Sequence, residues 1–123
     1  MTNVNATELA ERYFSTWETI DEPERAELAA QVFAKDAVHK AAPAGVSFTG
    51  LDEIVQNISR VNRENIQQAG LSFSRGAVVP NDDAVLVRWS VQAPNGQTVG
   101  TGADVLVLNA EGLVQTLYMF NGQ

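Results

Sequence analysis

Thr98-Val99-Gly100-Thr101-Gly102-Ala103-Asp104-Val105-Leu106-Val107-Leu108, then Asn109-Ala110-Glu111-Gly112, then Leu113-Val114-Gln115-Thr116-Leu117-Tyr118-Met119-Phe120: these residues decide the fold. Two runs rich in Val, Leu and aromatic residues flank a short segment of turn formers, which reads as an antiparallel hairpin. The same pattern extends upstream. Residues 71–79 and 84–93 read as strands separated by Pro80-Asn81-Asp82-Asp83, and Pro94-Asn95-Gly96-Gln97 leads on to Thr98. Strands joined by connections this short form a meander, because parallel neighbours need long crossovers.

The first half reads differently. Leu9, Tyr13, Trp17 and Ile20 recur near helical spacing, with Glu8, Glu11, Arg12 and Glu18 between them. Asn5 or Thr7 can cap that helix. Asp21-Glu22-Pro23-Glu24 signals a second helix start, with Leu28, Ala29, Val32 and Phe33 as its inner stripe. A short extended segment is expected at 37–42, followed by a loop containing Pro43, Gly45 and Gly50. Leu51, Ile54, Val55, Ile58 and Val61 make the stripe of a third helix, and Gly70 marks its end region. Helices first and a meander afterwards predict a single α+β domain over residues 1–123, with three helices packed on one face of a curved antiparallel sheet.

Bulk properties narrow the function. The chain has 123 residues, 45% of them hydrophobic, which is enough for a core. A formal charge of -7 with only eight scattered basic residues disfavours nucleic acid as a partner. The absence of cysteine removes disulfides, thiolate ligands and a Cys nucleophile. The polar N-terminus has no signal-peptide pattern, and no apolar run reaches membrane-spanning length, so a soluble cytoplasmic protein is expected. No cofactor or metal is expected: one His, no Cys and no acid cluster at ligand spacing make a poor donor set.

Asp104 is the residue that points to chemistry. It is the one charge in an apolar strand, where a carboxylate is costly unless hydrogen-bonded or neutralised. Strand alternation puts Gly100, Gly102, Asp104, Leu106 and Leu108 on one face. The glycines either leave room for a ligand or mark a bulge that bends the sheet. Tyr13 lies on an inner helix stripe, so its phenol points inward and needs a partner. His39, the single histidine, is a candidate base or a merely hydrogen-bonded ring. Trp17, Trp89, Gly102 and Phe120 are the expected ligand-binding positions.

The order of elements resembles the nuclear transport factor 2-like superfamily, in particular its SnoaL-like and ketosteroid-isomerase-like members. The segments that carry the resemblance are Glu11-Arg12-Tyr13-Phe14, Phe33-Ala34-Lys35-Asp36-Ala37, Phe48-Thr49-Gly50-Leu51-Asp52-Glu53-Ile54, and 104–112. It covers nearly the whole chain. The resemblance implies a cone-shaped domain enclosing a mostly apolar pocket, and a homodimer formed through the outer sheet face. It also implies that Tyr13 and Asp104 donate hydrogen bonds to a developing enolate oxygen; that enzyme is a standard example of a carboxylic acid kept neutral by an apolar site. The family's base Asp before a Pro is missing: Ala41 or Ala42 stands there, ahead of Pro43. If Ala41 is the equivalent, His39 shares its face and can substitute; if Ala42 is, Lys40 faces in instead. The resemblance therefore implies a protein that binds a hydrophobic, carbonyl-bearing small molecule, as an isomerase or cyclase acting through enolate stabilisation or as a non-catalytic binding or dimerisation module.

Overall fold

A computed structural model describes residues 5–41 and 45–122. Ala42 and Pro43, which bear on the base position, lie outside the described residues. Asn5 opens α1 (Ala6–Glu18), its side chain accepting from the Glu8 N–H. Asp21 does the same for α2 (Glu22–Val32) by accepting from the Glu24 N–H, with Pro23 in the first turn. Each cap satisfies a backbone donor that the helix itself leaves unpaired. α3 (Leu51–Val61) continues into a π-helical segment, Asn62–Gln68, before Gly70 turns the chain at φ 71°.

The sheet holds six strands: β1 (Phe33–Lys40), β2 (Ser47–Thr49), β3 (Ser72–Asn81), β4 (Ala84–Gln92), β5 (Thr98–Leu108) and β6 (Val114–Asn121). Their order is β2-β1-β6-β5-β4-β3. The β3–β6 meander is antiparallel throughout, as the turns predict. β1 is longer than the segment expected at 37–42, and it lies parallel to β6. Phe33, expected on the α2 stripe, is instead the first residue of this strand. The sheet is therefore mixed at that one seam. The register of β5 slips between Gly100 and Thr98 against β4, so a bulge does sit beside the glycine pair.

The core lies between the helices and the inner sheet face. Ala10, Tyr13, Ile54 and Ile58 from the helices meet Val87, Leu106 and Leu117 from the strands, all with no accessible surface. Two buried polar side chains lock the end of α1. Arg25 donates to the carbonyls of Thr19 (2.6 Å) and Ile20 (3.1 Å), and Asn62 donates to the Trp17 carbonyl (2.6 Å). These bonds absorb carbonyls left unpaired at a helix C-terminus, and they hold Trp17 against the cavity described next.

Candidate functional site

Between α1, α3 and the inner sheet face is a cavity of about 300 Å3 with a mostly apolar wall. Asp104 reaches it from β5 and is 3% exposed. Its two carboxylate oxygens each accept a hydrogen bond from a different element. The Tyr13 hydroxyl donates to Oδ2 at 2.6 Å, and the Trp89 indole N–H donates to Oδ1 at 3.0 Å. Both donors favour the ionised form, but burial opposes it and prevails, so Asp104 is pushed up to about 6. The Tyr13 phenol is held well above its ordinary range, first by burial and then by the neighbouring Asp104 charge.

Gly102 explains how Trp89 arrives there. The two residues are directly paired across β4 and β5. A Cβ on Gly102 would overlap the Trp89 ring and the Phe120 carbonyl oxygen. The space that the sequence reading offered to a ligand is thus filled by the indole, whose N–H donates to Asp104. Gly102 acts on the site through Trp89 and lines no part of the cavity.

His39 lies on the other flank, on β1, with no accessible surface and facing the same cavity. Ala41 lines the cavity with it, while Lys40 is exposed. His39 and Ala41 therefore share the inner face, and Lys40 does not. The His39 ring sits between Trp17 (centroids 5.9 Å apart) and Phe48 (5.7 Å). Burial pushes its pKa down to about 4, which keeps it neutral at physiological pH. A base of that strength is weak at neutral pH.

The expected residues therefore divide. Asp104, His39, Trp17 and Trp89 line the cavity. Tyr13 lies behind Asp104, its hydroxyl committed to the carboxylate. Phe120, expected in the pocket, is 57% exposed, while its neighbour Met119 lines the cavity and pairs with Asp104. Alternation along β6 puts the two on opposite faces. Sequence reading missed Asn57 and Arg60 on α3, which join the wall and are bonded to each other, the guanidinium donating to Asn57 Oδ1 at 2.7 Å. The available signal was a buried Asn interrupting the apolar stripe between Ile54 and Ile58.

Comparison with known proteins agrees with this architecture. The model of the SnoaL-like domain family matches residues 10–116, and the chain belongs to that family. Among solved structures, a candidate isomerase of the SnoaL-like family from Agrobacterium tumefaciens superposes with a TM-score of 0.82 at 22% identity, over 96% of this chain and 97% of the other. An NTF2-like protein of unknown function from Mesorhizobium loti gives 0.72 at 17% identity, over 100% and 98%. Another NTF2-like protein of unknown function, from Exiguobacterium, gives 0.72 at 23% identity, over 94% and 98%. No curated protein matches the chain in sequence. At these identities the likeness establishes the fold.

Proposed function

We propose that the cavity binds a hydrophobic small molecule through a carbonyl oxygen, and that the acid form of Asp104 donates a hydrogen bond to that oxygen. The observation that carries this reading is a carboxyl group in a mostly apolar cavity wall, braced on both oxygens and titrating near 6. One pH unit above that value, protonating Asp104 costs about 1.4 kcal/mol. A hydrogen bond to a ligand oxygen in a water-poor site offsets a cost of that size, and one to an enolate offsets more. Tyr13 and Trp89 are positioning residues that aim the carboxyl. Polarising the carbonyl acidifies the adjacent C–H. The proton passes to water in the pocket and returns at the same carbon or, in a β,γ-unsaturated ketone, at the γ carbon. This is enolisation chemistry of the isomerase or cyclase kind.

A second reading, a binding module without turnover, is favoured by one observation. Ala41 stands beside His39 where a carboxylate base would face in, and Asp104 is the one acid among the described lining residues. A single probe separates the two readings. 2-Decalone should bind with constant affinity below about pH 6 and lose up to tenfold per unit above it. Asp104→Leu should abolish binding, and Asp104→Asn should retain it without the pH dependence. Wild-type affinity that ignores pH sinks the protonated-donor role. Exchange of the ketone's α-hydrogens in D2O faster than in buffer supports the enzyme; binding without exchange supports the module.

The outer sheet face, where Tyr118 and Phe120 are 38% and 57% exposed, suits a homodimer contact. Sedimentation of wild type against Phe120→Asp tests it: a monomeric wild type removes the proposal.

A further inference from the structure

Buried polar atoms without partners are uncommon, and here they cluster. Among the described residues, three buried side-chain polar atoms lack a hydrogen bond: Nδ1 and Nε2 of His39, and the indole nitrogen of Trp17. All three belong to two rings in edge contact on the same cavity wall. An imidazole buried with both nitrogens unpaired bears the desolvation penalty of each, whereas a Leu or Phe would fill the same space between Trp17 and Phe48 without that cost. A structural role therefore does not account for a histidine at this position. A ligand atom does.

We propose that His39 is a second recognition point in the cavity, distinct from Asp104, and that the ligand carries two oxygen functions at opposite ends of an apolar frame. The inference rests on the ligand-binding reading above and specifies the ligand further. A neutral imidazole has one N–H donor and one acceptor nitrogen, so it takes a carbonyl or a hydroxyl oxygen. The sheet register fixes the spacing. His39 pairs with Leu117 on β6, and Leu117 pairs with Leu106 on β5, one inward-facing position along from Asp104. Two interstrand gaps sideways and two residues lengthwise separate the Cα atoms by roughly 12 Å. Both side chains then reach inward from opposite flanks. A molecule with a single oxygen satisfies one flank and leaves the other unpaired; a fused bicyclic or longer frame with an oxygen at each end satisfies both. Discrimination is strongest at such a site, because a polar group left unpaired on binding counts fully against the wrong ligand.

The test compares two probes, 2-decalone with one carbonyl and decalin-2,6-dione with two, by titration calorimetry at pH 6. Wild type should bind the dione about tenfold more tightly. His39→Phe should erase that preference, so that the variant binds the two probes with equal affinity. Because His39 is the only histidine, 15N NMR of its ring gives an independent reading that needs no variant. The dione should shift the ring nitrogens and 2-decalone should not. Equal affinity of wild type for both probes, with an unmoved imidazole spectrum, overturns the inference and leaves the Asp104 reading intact. If neither ketone binds, the ligand-pocket reading falls and takes this inference with it.

Discussion

The two flanks of the cavity solve the same problem in opposite ways. On β5, a buried carboxyl is braced by Tyr13 and Trp89, which reach it from two different elements. On β1, a buried imidazole is surrounded by rings, and neither of its nitrogens has a hydrogen-bond partner among the described residues. Desolvation acts on both and moves both groups toward their neutral forms, Asp104 upward and His39 downward. The contrast shows that hydrogen bonds orient a buried group without necessarily keeping it charged. Asp104 has a fixed geometry and a poised proton. His39 has free hydrogen-bonding capacity and no charge.

The largest expected effect comes from taking the two flanks apart by pH. Asp104 moves from an ordinary 3.8 to about 6, so the folded protein holds an extra proton between those values and this contribution strengthens as pH falls through them. His39 moves from 6.5 to about 4, so the folded protein holds one proton fewer in its window and stability is lost as pH falls from 6.5 toward 4. Each shift is worth roughly 3 kcal/mol by the conversion of pKa units into free energy, and the two nearly cancel. Wild-type stability from these groups should therefore be almost flat between pH 4 and 6.5. In urea titrations, Asp104→Asn should lose about 3 kcal/mol across that range on acidification, and His39→Phe should gain a similar amount. Parallel pH profiles for the two variants would break the comparison.

The braced flank should also be the less tolerant of added volume. Gly102→Ala pushes a methyl into the Trp89 ring, with an expected loss of about 1–3 kcal/mol. Displacement of the indole should show in tryptophan fluorescence; an unchanged spectrum and midpoint would mean that the glycine does not seat Trp89. Tyr13→Phe keeps the ring and removes the 2.6 Å bond, at a cost of about 1–2 kcal/mol at pH 8. Since that bond lowers the Asp104 pKa, its loss should raise the value above 6, read by carboxyl 13C NMR. A fall would reverse the assigned role of the phenol. The smallest effect belongs to the open flank: at pH 8, His39→Phe should gain about 1 kcal/mol in the absence of ligand. A clear loss would mean that the imidazole has a structural partner.

Legibility in the sequence followed how local the cause was. The meander was readable because its turns carry their own chemistry, and α1 and α2 because Asn5 and Asp21 cap them. Tyr13 and Asp104 could be matched because each is the odd polar group on an otherwise apolar surface. The Trp89–Gly102 pair was not readable, since only the β4–β5 register brings them together. Phe120 was misplaced because β6 is apolar on both faces, so alternation separates Met119 from Phe120 without saying which one faces in. Phe33 continued a helical stripe as well as it began a strand. The parallel β1–β6 seam has no local signature at all.

That seam bears on how the protein comes into being. The strand that carries His39 is made early; one of its edges pairs with the nearby β2, but the other finds its neighbour only in residues 114–121, the last strand of the sheet. A pairing this distant along the chain is slow to form, because a long loop must close before any contact rewards it. During synthesis the Asp104 flank can assemble from consecutive hairpins while β1 waits with an open edge. The cavity is therefore completed last on its His39 side, and an arrested chain ending before residue 114 would carry the braced acid without the wall opposite it.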